Sequence, residues 1–294
     1  MAAASWHQLC KLRDDVRTGS LTLAEFAADL DGVRTGEAPA IYREPGMFFS
    51  RTYPTYRMKQ LARDVLQRLA GQGGKPVLQL QVAYGGGKTH TLITLLHLAE
   101  RGAQFGDHPT VREFATFAGL PELPRARVAL LPFDKFDVKE GLRVLSPEGK
   151  PRRVRSPWGA LAHQLAGDAG YARLKGHDED YTVPAEPLLV DLLRAPQKDG
   201  LGALVLLDEA VWYYRSLVNQ NPRMLGTIKD FFHVLTQAVA KVDRASLVAA
   251  LIASRVEAND QTGTQCLSAL EDEFGRLAEP VEPVAREDVA EILR

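Results

Sequence analysis

The sequence predicts an α/β fold, with a mostly parallel sheet covered by helices on both faces and a helical segment in front of it. Two observations carry this expectation. Residues 203–207 and 247–253 are apolar runs without polar alternation, as in strands buried on both sides. Stretches with apolar residues at helical spacing separate these runs and the other predicted strands, which is the pattern of βα units.

In chain order, residues 21–30 place Leu23, Phe26, Ala27 and Leu30 on one helical face. Glycines and prolines interrupt the pattern over 32–54. Thr55 can cap a helix whose stripe is Met58, Leu61, Val65 and Leu69, and Gly71 ends it. Gly71-Gln72-Gly73-Gly74 reads as a linker. Residues 77–82 read as a strand. Residues 88–101 read as a helix with Leu92, Leu95, Leu96 and Ala99 inward and Gly102 as its stop. A second strand is expected at 127–131, before Pro132. Helices are expected at 156–166, where Pro157 suits a first turn, and within 182–194. Strand 203–207 follows. Residues 225–242 then form a helix with Ile228, Phe231, Phe232, Leu235 and Val239 as its core stripe, and 247–253 is the last strand. Residues 286–294 look like the start of a helix, with Val289, Ile292 and Leu293 as a stripe and no stop signal. The expected organisation is a helical segment over 1–74, a core over 75–255, and a C-terminal helical segment over 256–294 cut from a longer chain.

The 294 residues are 45% hydrophobic and 25% charged, enough for one sizeable core. A net charge of -1 gives no global pull toward nucleic acid or membrane. Cys10 and Cys266 have no metal-ligand spacing, and the seven histidines form no ligand cluster in sequence. The N-terminus has no basic segment followed by an apolar stretch, and no apolar run approaches ~18 residues. A cytoplasmic protein without membrane spans is therefore expected.

Chemistry concentrates at two places. Gly85-Gly86-Gly87-Lys88-Thr89 joins the strand at 77–82 to the helix at 88–101. Glycines let backbone N–H groups turn around phosphate oxygens, and the helix start presents its positive end to the same anion. Lys88 would reach the β- and γ-phosphates, and Thr89 would offer its hydroxyl to magnesium. Tyr84 and His90 flank the loop and join Gly85, Gly86, Gly87, Lys88 and Thr89 as expected nucleotide contacts, although packing at the helix start would also account for His90. The usual pattern wants glycine where Val82 stands, and an ordinary glycine-rich turn would show the same glycines.

The second place is Asp208-Glu209, at the carboxyl end of the strand at 203–207. That is where parallel sheets bind ligands. Asp208 would hold magnesium, and Glu209 would orient the attacking water. Two solvated acids after a strand would read the same way. Ser254, after the strand at 247–253, is a candidate contact to the γ-phosphate or the attacking water; a hydroxyl capping the strand end competes. Arg215, Arg223 and Arg255 are candidate arginine fingers, each competing with a solvated arginine. Lys150-Pro151-Arg152-Arg153-Val154-Arg155 reads as a basic loop able to touch phosphates or simply to be solvated. Trp212-Tyr213-Tyr214 reads as helix packing. Together the two motifs predict a three-layer P-loop NTPase, AAA-like and of the class with an additional catalytic glutamate, using ATP and magnesium. No guanine-reading Asn-Lys-x-Asp motif is present. The alternatives are a nucleotide-gated scaffold with negligible hydrolysis and a small-molecule phosphotransferase, for which neither an acceptor pocket nor an arginine-bearing lid is visible.

The run Ala83-Tyr84-Gly85-Gly86-Gly87-Lys88-Thr89-His90-Thr91-Leu92 closely resembles the phosphate loop of the prokaryotic ATPase family known as domain of unknown function 499. The likeness extends to Phe26-Ala27-Ala28-Asp29-Leu30, Phe48-Phe49-Ser50-Arg51-Thr52-Tyr53-Pro54-Thr55, Trp158-Gly159, Gln164-Leu165-Ala166-Gly167, Leu206-Leu207-Asp208-Glu209 and Phe274-Gly275-Arg276. In that family the position of Val82 tolerates residues other than glycine. The resemblance implies the N-terminal ATPase part of a larger protein, related to the large ATPases of BREX systems. It further implies antiphage defence, with DNA, other defence proteins or a second copy of the chain as partners.

Overall fold

A computed structural model describes residues 17–18, 28–81, 87–251, 260–276, 278–284, 288 and 292. The predicted helix at 21–30 lies outside the described residues except at its end, and so does the one at 286–294 except for residues 288 and 292. The first half runs α1 (Leu30–Thr35), α2 (Ala40–Arg43), α3 (Pro45–Ser50), α4 (Tyr56–Ala70), β1 (Val77–Leu80), α5 (Lys88–Arg101), α6 (Pro109–Ala118) and β2 (Ala126–Pro132). A 3-10 turn at Phe133–Lys135 leads into β3 (Leu142–Leu145) and β4 (Pro151–Val154). Then come α7 (Pro157–Glu179), α8 (Glu186–Arg194), β5 (Gly202–Asp208), α9 (Ala210–Gln220), α10 (Met224–Ala240), β6 (Ala245–Ala250), α11 (Gln261–Gly275) and β7 (Glu279–Val281).

The main sheet has five strands in the order β2-β5-β6-β1-β7, and every neighbouring pair is parallel. Alternate residues of β2, β5 and β6 enter opposite cores. Ala129, Leu131, Val205, Leu207, Leu247 and Ala249 join the core built by α7 to α11. Val128, Leu130, Leu204, Leu206, Val248 and Ala250 join the core built by α1 and α3 to α6. This is the predicted arrangement of helices on both faces, and it explains why the strand sequences show no polar alternation. The helices of residues 30–70 are one part of a face layer, not an appendage to it.

Local expectations hold where capping chemistry is explicit. Thr55 accepts a hydrogen bond from the Met58 amide at 3.1 Å, Met58, Leu61, Val65 and Leu69 are buried, and Gly71 closes α4 in the left-handed region. The range of α5 is the predicted one.

Three expectations need correction. The 32–54 stretch holds three short helices, because Pro45 sits in the first turn of α3 and Gly36 caps α1 rather than breaking it. The C-terminal segment is not all helix: β7 extends the sheet beside β1. Pro280 is tolerated there because β7 is an edge strand. The basic stretch at 150–155 contains β4, paired antiparallel with β3. Arg152 bonds Asp168 at 2.8 Å and covers the Tyr171 ring at 4.3 Å, while Arg153 and Arg155 donate to the carbonyls of Glu140 and Glu179. These side chains are engaged within the chain.

Thr55 also donates to the Pro283 carbonyl at 2.5 Å, tying α4 to the segment after β7. Thr55→Ala removes the cap and this tie together. Urea denaturation is expected to read a loss of about 1–2 kcal/mol; an unchanged midpoint would contradict the capping role.

Candidate functional site

The strand register builds the site. Leu80 lies level with Ala250, Ala250 with Asp208, and Asp208 with Pro132. Four carboxyl ends therefore meet one crevice, where a doubly covered parallel sheet exposes ligand-binding groups. The strand β6 separates β1 from β5, so the ends of β1 and β5 stand about 10 Å apart, two strand spacings. The first turn of α5 lies nearer to β5 than that, within side-chain reach of the acidic pair.

They do meet. The Thr89 hydroxyl, in the first turn of α5, donates to Asp208 Oδ2 at 3.1 Å. Gly87, just before α5, has φ 74°, a left-handed conformation that glycine adopts without a Cβ penalty. Its carbonyl accepts from the Thr91 amide at 2.9 Å and from the Thr91 hydroxyl at 2.8 Å. Lys88 is buried at the same helix start, with 8% of its surface exposed. The positive end of the α5 dipole faces this crevice.

Asp208 is under electrostatic load. Burial, then repulsion from Glu209, push its carboxyl up to about 7 against the Thr89 hydrogen bond and the Lys88 charge. Its Oδ1 atom is buried with no hydrogen-bond partner. Glu209 carries load of a different kind. Its φ of 55° puts a non-glycine residue in the left-handed region, a cost on the order of 1 kcal/mol or more. The conformation is held by the Glu209 amide donating to Ala250 O at 2.9 Å and the Val211 amide donating to Leu251 O at 3.0 Å. Strain of this type persists only where the surroundings over-determine it, and it clusters at functional sites.

Four charged residues that sequence reasoning missed line the same cavity of about 230 Å³ as Thr89, Asp208 and Glu209: Asp29, Asp31, Asp134 and Lys135. Lys135 Nζ lies 3.0 Å from Asp134 and 3.5 Å from Asp29. The hydrogen bond to Asp134 raises the Lys135 ammonium above its usual range. Burial, then repulsion from Asp29, lift Asp31 to about 6. A signal for two of the four was present: Asp134 and Lys135 follow the end of a predicted strand, just as Asp208 and Glu209 do. A larger cavity of about 560 Å³ opens near the other end of β2, around Arg127, Arg173 and Lys198. Arg127 is already paired with Asp199, and Arg173 with Asp191. It has no counterpart to the strained, acid-lined crevice.

Other candidates fall away from the crevice. His90, expected beside the nucleotide, packs on the Phe48 ring at 4.6 Å and meets the Thr52 hydroxyl at 3.1 Å. Burial lowers it to about 4, so it is neutral at ordinary pH. Arg215 is bound to Asp260 at 2.7 Å. Tyr213 and Tyr214 pack in the core as expected, whereas Trp212 is 48% exposed. Cys266 is buried, and burial pushes its thiol up to about 11. Tyr84, Gly85, Gly86, Ser254, Arg255 and Cys10 lie outside the described residues. Among the described residues no helix is long and apolar enough to cross a membrane.

The family model for the DUF499 N-terminal domain matches residues 5–276. No curated protein and no solved structure matches the chain.

The raised Asp208 carboxyl yields a pH prediction with a definite sign. Its folded pKa of about 7 exceeds the ordinary 3.8, so this group favours the fold below the ordinary value and loses that contribution as pH rises through about 7. Asp208→Asn should therefore raise the melting temperature of the nucleotide-free protein by a few degrees at about pH 8 and much less at about pH 5. A lower melting temperature for the variant at the higher pH would contradict this reading.

Proposed function

The chain belongs to the DUF499 N-terminal domain family, and from that premise we propose that it is a P-loop protein that binds ATP with magnesium and hydrolyses it. The observation that carries the reading is the Thr89–Asp208 hydrogen bond. It joins the glycine-rich helix start to the acidic strand end, two motifs far apart in sequence.

The residues fit magnesium. A hydroxyl and a carboxylate 3.1 Å apart are hard-oxygen donors, and the buried, unpartnered Oδ1 of Asp208 is an oxygen that the ion or its water would satisfy. Magnesium in nucleotide sites keeps waters and takes few protein ligands. Bound magnesium would neutralise charge on the phosphate oxygens. The chain supplies the rest. Gly87 and the first turn of α5 present backbone donors to phosphate, and Lys88 extends the same positive region. Asp208 and Thr89 are the magnesium-side pair. Glu209, fixed by its strained backbone at the end of β5, orients and polarises the attacking water. The strand β6 between β1 and β5, together with a glutamate directly after the magnesium-side aspartate, supports the class with an additional catalytic glutamate over a scaffold that only binds. A role in antiphage defence, on DNA or on a protein complex, rests on family resemblance alone.

Two variants test this. Lys88→Ala should lose ATP affinity in calorimetric titration; binding at wild-type strength would remove the phosphate-loop reading. Glu209→Gln should keep affinity while turnover drops at least about 100-fold. Undiminished hydrolysis by that variant would take the water-orienting role from Glu209. Tight binding with no turnover in the unaltered chain would favour the nucleotide-gated scaffold.

A further inference from the structure

An arginine finger is one way to bring positive charge to a transferring phosphoryl group. Among the described residues no arginine lines the crevice cavity, and Arg215, a sequence candidate, is held by Asp260. The lining nevertheless contains a cation, Lys135, among five carboxylates: Asp29, Asp31, Asp134, Asp208 and Glu209. It lies three residues beyond Pro132, which is level with Asp208 in the register.

Resting on the nucleotide reading above, we propose that Lys135 supplies from within the chain the cation that engages the γ-phosphate, and that Asp29 latches it when no nucleotide is present. The two carboxylates that hold Lys135 are not equivalent. Asp134 is its immediate neighbour in sequence and lies at 3.0 Å; Asp29 comes from the N-terminal side of α1 and lies at 3.5 Å. An ammonium has three donors on a flexible stem, so it can keep Asp134 and exchange Asp29 for a phosphate oxygen. The Lys135 side chain is 41% exposed, which leaves it room to move.

Asp29 is built to act as a latch without endangering the fold. Its Oδ1 caps α1, accepting from the Asp31 amide at 3.0 Å and the Gly32 amide at 3.1 Å, and its Oδ2 faces Lys135. The helix α1 is anchored independently, because Arg34 bonds Val128 O at 3.0 Å and Glu100 at 2.9 Å. Release of Lys135 therefore leaves α1 seated. Exchange of one carboxylate for the γ-phosphate makes the site favour the triphosphate over the diphosphate, and this difference can be measured without turnover.

The test is calorimetric titration of the whole chain with magnesium and either ADP or a non-hydrolysable ATP analogue. Lys135→Met should lower the ratio of analogue affinity to ADP affinity by about tenfold while ADP binding changes little. Asp29→Asn keeps an N-cap oxygen and removes the latch charge, so it should raise the same ratio. If Lys135→Met leaves the ratio unchanged while Lys88→Ala abolishes binding of both nucleotides, the Lys135 assignment is overturned and the nucleotide site stands. If Lys88→Ala binds both as the unaltered chain does, the nucleotide reading fails first. A ratio unmoved by Asp29→Asn, beside a loss in Lys135→Met, would overturn the latch.

Discussion

All seven residues of β5 are buried, and Ala203 to Leu207 divide alternately between two cores. Packing of this strand on both faces is the constraint on which the rest depends. It aligns β2 and β6 in parallel on either side, and it sets the level at which four strands end. Seven consecutive residues removed from water, at roughly 25 cal/mol for each Å² of apolar surface, hold that level against disturbance. A charged residue at the end of such a strand cannot retreat into solvent. Asp208 is therefore kept buried, at the cost of a raised carboxyl and an orphaned oxygen.

Several unfavourable features gather in the crevice created in this way. A buried carboxylate sits next in sequence to a second acid, and that second acid has a left-handed backbone. Two more acids and the Asp134–Lys135 pair line the same cavity. Elsewhere many charges lie on the surface in simple pairs, such as Arg173 with Asp191 and Lys241 with Glu186. Destabilising arrangements brought together, and held there by two well-packed cores, are what a site for an anionic ligand and its cation demands. In the larger cavity near Arg127, by contrast, two of the cations are paired, Arg127 with Asp199 and Arg173 with Asp191.

Much of this could be read in the sequence where a local rule acts alone. Thr55, Gly71, the stripe of α4 and the apolar runs of β5 and β6 state their structures through capping and periodicity. Asp208-Glu209 was legible as a strand end. Features set by contacts between distant segments were not. The ion pair of Lys135 with Asp29 depends on how α1 packs on β2, and the φ of Glu209 depends on bonds from β6 and its continuation. The hairpin of β3 and β4 was hidden because its strands have four residues each, with Arg143 directly opposite Arg153, a pairing of like charges that strand rules disfavour. His90 shows the limit of proximity in sequence: one residue beyond Thr89, its ring belongs to the packing of α3 on α5.

The central claim is that the start of α5 and the end of β5 form one nucleotide site. Amide hydrogen exchange of the chain, with and without magnesium and ATP, tests it most directly. The account predicts added protection at Gly87 to Leu92 and at Asp208 to Val211, with little change around Arg127, Arg173 and Lys198. Protection confined to that second region, or none at either, would contradict it.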